Sequence, residues 1–224
     1  MKISILTLFP EMFQGPFDFS IIKRAKDKKI VDIEFVNIRD FGVGKHKLVD
    51  DTPYGGGNGM ILRADVVCKA IEKTKDKKLK KGKEKIILLT AQGKTYNQKV
   101  AQRFSKLSHL IIVCGHYEGF DERIKNFIDE EISVGDFILT GGEIPAMLIT
   151  DSVTRLIKGV IKEGSAALES FSPYLEHPQY TKPQKYKNLP VPEVLLSGNH
   201  KKIDSWRKEK SLEITSKIRP DLIK

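Results

Sequence analysis

Four short runs of nearly continuous apolar character, ISILTLF (3–9), DIEFVNI (32–38), KIILLT (85–90) and LIIVCG (110–115), constrain this chain more than any other feature. A strand can be apolar on both faces only where both faces are covered, which is the condition of a parallel sheet flanked by helices. The intervals supply the helices. Amphipathic stretches fall at about 19–29, 63–76 and 96–106, and the apolar spacing of GGEIPAMLITDSVTRLIKGV suits a further helix over about 143–159. Parallel neighbours need such crossovers, so the alternation predicts an open, mainly parallel α/β sheet.

After that helix the composition changes. Residues 162–188 (KEGSAALESFSPYLEHPQYTKPQKYKN) are polar, mixed in charge and hold three prolines, which predicts a flexible linker. Helical patterning resumes from Pro190. The expected organisation is an α/β domain over 1–161, the linker over 162–188 and a small helical domain over 189–224. A chain of 224 residues with 40% hydrophobic content can bury such a core.

No window approaches the roughly 18 uninterrupted apolar residues of a membrane span, and the N-terminus runs straight into a strand pattern, so the expected location is cytoplasmic. Cys68 and Cys114 lie in apolar runs and read as small buried thiols, with no spaced cysteine and histidine cluster for zinc. The net charge of +10 favours a polyanionic partner, nucleic acid first, because cationic surfaces release counterions on meeting phosphate. The densest basic run, KTKDKKLKKGKEK (73–85), reads as a solvated helix end and loop.

Three glycine-bearing loops point to a site. DDTPYGGGNGM (50–60) places four glycines in five positions, yet it lacks the Gly-Lys-Ser/Thr ending of a phosphate loop and follows no strand closely enough for a dinucleotide fingerprint. CGHYEGFDER (114–123) follows a strand and SVGDFILTGGEIPA (133–146) precedes a helix, so both belong at the C-terminal edge of the sheet, where α/β proteins bind ligands. Apart from Arg123 and His116 these two loops offer apolar groups, carboxylates and backbone, which suits a nucleoside-like ligand.

The ordered set LFPEMF, RDF, VDDTPYGGGNGM, GHYEGFDER, SVGDFILTGGEIPAM, DSVTR and LLSGNHKKIDSWR closely resembles the bacterial tRNA (guanine-N1)-methyltransferases that modify guanosine 37, beside the anticodon. The resemblance spans the chain from the first strand to the final helices. It implies the SPOUT class, whose α/β domain carries a deep trefoil knot, binds S-adenosylmethionine and acts as a homodimer with the active site at the subunit interface. It also implies a magnesium requirement, for which no ligands can be named.

Carried over by position, the resemblance assigns the cofactor to Leu88, Leu89, Thr90, Gly93, Gly115, Tyr117, Glu118, Val134, Gly135, Asp136, Phe137, Ile138, Leu139, Gly141, Gly142 and Pro145. The side chains of Leu89, Val134, Ile138 and Leu139 could equally serve the core. On the RNA side it implies His46, Asp50, Tyr54, Gly59 and Met60, where glycine allows close approach to a base taken out of its stack. In the C-terminal part, Ser197, Gly198, Asn199 and His200 read as a helix start with Asn199 as cap, followed by Arg207 on the same helix, all implied RNA contacts. Trp206 reads as an anchor of that domain rather than a stacking platform.

Methylation of guanine N1 needs the N1 proton removed and the charge that spreads to O6 stabilised, so one carboxylate and one cation suffice. Arg155 in DSVTR matches the family's arginine. The carboxylate departs from the pattern: where aspartate is usual before Ser-Phe, ALESF carries Glu169, one methylene longer. Two other readings fit the residues, methylation of a different RNA position by the same fold and a catalytically impaired tRNA-binding protein.

Overall fold

The computed structural model describes residues 1–165 and 169–223, and the chain divides into two compact units, Met1–Ile161 and Lys162–Lys224. In the first, β1 (Lys2–Thr7), α1 (Ser20–Asp27), β2 (Asp32–Asn37), β3 (Asp50–Asp51), β4 (Ile61–Leu62), α2 (Ala64–Thr74), β5 (Glu84–Thr95), α3 (Gln98–Phe104), β6 (His109–Val113), β7 (Glu130–Ser133) and α4 (Glu143–Thr154) follow in order. Five strands form one parallel sheet in the order β2-β1-β6-β5-β7. The protein is therefore of the α/β class expected from its apolar runs, with all four predicted strands in the sheet.

Both faces of the sheet are covered, as the unbroken apolar runs require. Ile3, Ile5, Ile87, Leu110 and Ile112 pack with Phe104 of α3 and with Ile149 and Val153 of α4. From the opposite face, Leu6, Ile86, Leu88, Ile111 and Val113 meet Val66, Val67 and Ile71 of α2. Alternate residues of one strand thus serve two cores. Cys68 and Cys114 are free and buried, and the apolar surroundings push the Cys114 thiol well above the ordinary range.

Strand β7 was not anticipated. It is a four-residue edge strand, EEIS, in which only Ile132 and Ser133 are buried, too short to show a period. Its pairing with β5 is irregular: Leu89 and Lys94 both pair with Ile132, so residues 90–93 bulge out between two ladder segments.

In the second unit the hairpin strands β8 (Lys185–Tyr186) and β9 (Leu189–Pro190) precede α5 (Glu193–Leu196) and α6 (His200–Ile218). The segment expected as a linker belongs to this unit and is tied to α6. Thr215 Oγ1 accepts from the Leu175 amide at 2.9 Å, and Ser211 Oγ donates to Leu175 O at 2.5 Å. Trp206 is half-buried, with His177 and Tyr180 ring centroids at 6.3 and 6.4 Å. Ala166, Ala167 and Leu168, within the stretch expected to carry the catalytic carboxylate, lie outside the described residues. No described helix is long and apolar enough to cross a membrane.

Candidate functional site

The first unit holds a cavity of about 430 Å³ at the C-terminal edge of the sheet, in the range of ligand pockets. Its walls are the β5 bulge, the loop after β6 and the loop between β7 and α4. All the cofactor candidates line it except Gly93 and Asp136. Gly93 is glycine for another reason: a Cβ there would run into the backbone of Ile132, so the residue lets β5 pass close to β7. Of the four side chains that could have served the core, Leu89 is buried in it, Val134 is half-buried against it, and Leu139 and Ile138 are exposed, Ile138 to 84%.

Glycine shapes the walls by letting backbone approach other backbone or an aromatic ring. A Cβ on Gly142 would lie 2.6 Å from Cys114 Cα, and one on Gly115 would lie 2.8 Å from the Phe120 ring. The gap between the last two loops is closed by a hydrogen bond from Gly142 N–H to Gly115 O at 2.8 Å. Tyr117 adopts φ +58°, a left-handed conformation uncommon for a side-chain-bearing residue and concentrated at functional sites.

The glycine loop of residues 50–60 abuts the wall of this cavity. β3 and β4 pair antiparallel and present residues 52–60 between them. Four of those positions, Gly55, Gly56, Gly57 and Gly59, have φ between +80° and +134°, which glycine alone adopts cheaply. The Glu118 amide donates to Met60 O at 3.0 Å and the Leu62 amide to Gly119 O at 2.9 Å. A Cβ on Gly59 would lie 2.5 Å from Glu118 Cγ. Gly59 and Met60 are thus brought against the Gly115–Glu118 wall, whereas His46 and Tyr54 are exposed and Asp50 is held in the β3–β4 ladder opposite Leu62.

Two basic side chains near the cavity have carboxylate neighbours. Arg123 binds Asp121 through two hydrogen bonds, at 2.9 and 2.6 Å, and this holds the Asp121 carboxyl below the usual range. His116 Nε2 lies 3.4 Å from Glu143 Oε2. The lining includes the carboxylates of Glu118, Asp121, Glu122 and Glu131 against the single ammonium of Lys125, which pairs with Glu122 and Glu131 at 2.9 and 3.3 Å. Such a wall disfavours phosphate and favours a cation.

Sequence reasoning missed the lining residues Lys125 and Glu131 and the burial of Glu143. Glu131 could not be placed without β7. Lys125 Nζ donates to Gln92 Oε1 at 3.2 Å across 33 residues, a pairing that only the fold creates. Glu143 reads in sequence as an ordinary acid in the first turn of a helix, yet it is 1% exposed.

The remaining candidates fall as follows. Arg155 is half-buried at the C-terminal end of α4, in the first unit, and Glu169 is half-buried in the second. In the second unit, Ser197, Gly198, Asn199 and His200 are exposed at the start of α6, where Asn199 Oδ1 caps the helix by accepting from the Lys202 amide at 3.1 Å. Arg207 Nη1 lies 3.6 Å from Asp204. The lysine-rich run occupies the end of α2 and the turn into β5, the N-terminal edge of the sheet and the end opposite the cavity. Among the described residues no group of three or more His, Cys, Asp or Glu side chains could hold a metal ion.

The family model described as "tRNA (Guanine-1)-methyltransferase TrmD" matches residues 1–224. The chain is 50% identical to the tRNA (guanine-N(1)-)-methyltransferase of Dictyoglomus turgidum over 225 residues, covering 100% of this chain and 90% of that protein. It is 54% identical to the proteins of the same name from Carboxydothermus hydrogenoformans and Bacillus pumilus, covering 100% of this chain and 88% and 92% of theirs.

Proposed function

The chain belongs to the tRNA (guanine-1)-methyltransferase TrmD family, and from that premise we propose that it transfers the methyl group of S-adenosylmethionine to N1 of guanosine 37 in tRNA. The observation that carries this reading is the junction of two loops: the wall built from Gly115 to Glu118 is hydrogen-bonded to Met60, at the end of the glycine loop. Cofactor and target base would then approach from the two sides of one seam.

The cavity suits the cofactor on its own chemistry. Glycine backbone admits a bent nucleoside, apolar Leu88, Leu89 and Pro145 cover its faces, and the surplus of carboxylates favours a sulfonium cation. When bound, the cofactor supplies an electrophilic methyl group. This chain's residues would do the rest. The Glu169 carboxylate removes the N1 proton of guanine, and the Arg155 guanidinium balances the negative charge that spreads to O6. The exposed amides at the start of α6, with His200 and Arg207, grip phosphates of the tRNA. The described residues offer no carboxylate cage for magnesium.

The same reading includes the knotted arrangement of its class and a homodimer that completes the active site at the subunit interface. Supporting the dimer, Phe137, Ile138 and Leu139 are exposed in one loop, and Ile144 and Leu148 are exposed one turn apart on α4. Apolar exposure of this kind marks a surface made to be covered.

The test is methyl transfer from labelled S-adenosylmethionine to a tRNA transcript with guanosine 37, beside a transcript with adenosine there and a Glu169→Gln variant. N1-methylguanosine should form only on the first transcript, and the variant should lose about 100- to 10,000-fold in rate, the usual contribution of a general base. An unmodified guanosine 37 with methyl incorporated elsewhere would replace this reading with a different RNA position.

A further inference from the structure

We infer that Glu143 is a positioning residue for the cofactor: through His116 it fixes the glycine loop of the cavity wall to the start of α4, without touching the ligand itself. The inference rests on the reading of the cavity as the S-adenosylmethionine site.

Three segments distant in sequence converge on this one carboxylate. Oε1 accepts from Thr7 Oγ1, at the end of β1, at 2.6 Å, and Thr7 Oγ1 itself accepts from the Phe9 amide at 3.0 Å. Oε2 has no hydrogen-bond partner and faces His116 Nε2 at 3.4 Å. The His116 ring is held by Phe9, with ring centroids 4.8 Å apart, and lines the cavity, which Glu143 does not. Gly141 makes room for the pair, since a Cβ there would lie 2.5 Å from Glu143 Oε2 and 2.6 Å from His116 Nε2.

A buried carboxylate with an unpaired oxygen is costly, and an apolar side chain would fill the same space at lower cost. The start of α4 offsets part of this, because the helix N-terminus favours an anion. The remainder is explained if the second oxygen is held for His116. The imidazole–carboxylate gap of 3.4 Å exceeds a hydrogen bond by a few tenths of an ångström. Across that gap the carboxylate holds the His116 loop, and with it Gly115, Tyr117 and Glu118, against α4 before any ligand arrives. The wall then has one geometry instead of several, and the cofactor binds without first having to order it.

The experiment measures binding of S-adenosylhomocysteine by calorimetry and steady-state methylation for the full-length protein, Glu143→Gln, His116→Gln and the double variant. Glu143→Gln keeps the shape and the Thr7 contact but loses the charge facing His116. The expected result is a tenfold or greater loss of S-adenosylhomocysteine affinity, a matching rise in KM for S-adenosylmethionine, and kcat within about twofold, the pattern of lost uniform binding. His116→Gln should lose a similar factor, and the double variant little more than either single one, because both changes break the same link. Thermal unfolding checks that the variants are folded, and if Glu143→Gln is not, His116→Gln decides by the same readouts. Folded variants that bind like the parent, losses that multiply in the double variant, or a fall in kcat at unchanged KM would each overturn the inference. A parent protein that binds neither S-adenosylmethionine nor its product would instead overturn the reading of the cavity, and this inference with it.

Discussion

The two edges of the parallel sheet are built by opposite means. At the N-terminal edge side chains close the strand ends. Glu34 on β2, Ser4 on β1, His109 on β6 and Glu84 on β5 form a continuous polar chain across four neighbouring strands, with contacts of 3.0, 2.8 and 2.8 Å. Lys2 pairs with Glu34, and Arg103 with Glu130 on β7. At the C-terminal edge the loops end in glycine, and backbone faces the cavity. The difference is one of where geometry is specified. Locking the strand ends is the task of one edge, and shaping the cavity is the task of the other.

That division can be broken most forcefully at His109, which is 1% exposed and bridges Ser4 and Glu84. His109→Ala removes one hydrogen bond each from Ser4 and Glu84 and leaves a void, and should destabilise the protein by about 3 kcal/mol, the scale of breaking a buried polar pair. Urea unfolding measures the loss. If the edges divide labour as argued, the folded fraction still binds S-adenosylhomocysteine with parental affinity. An affinity loss as large as the stability loss would show that the sealed edge communicates directly with the site.

The converse change is Gly142→Ala. Its new Cβ would meet backbone, Cys114 Cα at 2.6 Å and Gly115 N at 2.7 Å, which cannot rotate away as a side chain could. The expected cost is about 2 kcal/mol of stability, as for overpacking elsewhere. Here cofactor affinity should fall as well, by tenfold or more, because the displaced backbone is the cavity wall. A variant that loses stability alone would mean that the wall tolerates displacement and that the glycine serves folding only.

How much of this the sequence carries differs in the same way between the edges. The four inner runs were readable because strands covered on both faces cannot hide their apolar character. β7 was not, since an edge strand with two buried residues leaves no period. The glycine clusters marked the site because glycine is conspicuous, yet its meaning at each position was not readable: Gly115 and Gly142 shape the cavity, while Gly93 serves the approach of β5 to β7. Long-range polar pairs were invisible. Nothing local distinguishes Glu143, buried between Thr7 and His116, from a solvated acid in a first helical turn. The segment 162–188 looked like a linker because its apolar content is low, and its attachments run in part through Ser211 and Thr215 hydroxyls, which no hydrophobic pattern reports.

The smallest expected effect, and the one with a defined sign, lies in the pair that fastens β7. Arg103 donates two hydrogen bonds of 2.8 Å to Glu130, with Lys85 at 3.4 Å, and these hold the Glu130 carboxyl below its usual range. The Arg103 side chain is 46% exposed, so solvent screening limits the pair to about 1 kcal/mol. Because folding lowers the pKa, the unfolded chain takes up the proton first as pH falls. The contribution is therefore full above the ordinary carboxylate range and disappears as pH drops through the folded value. Glu130→Gln should be less stable than the parent near pH 7 by about this amount, and the two proteins should converge in acid, as followed by urea unfolding between about pH 7 and 3. Cofactor affinity at neutral pH should change little. A stability difference that stayed constant across the range would mean that Glu130 fastens β7 by packing rather than by charge.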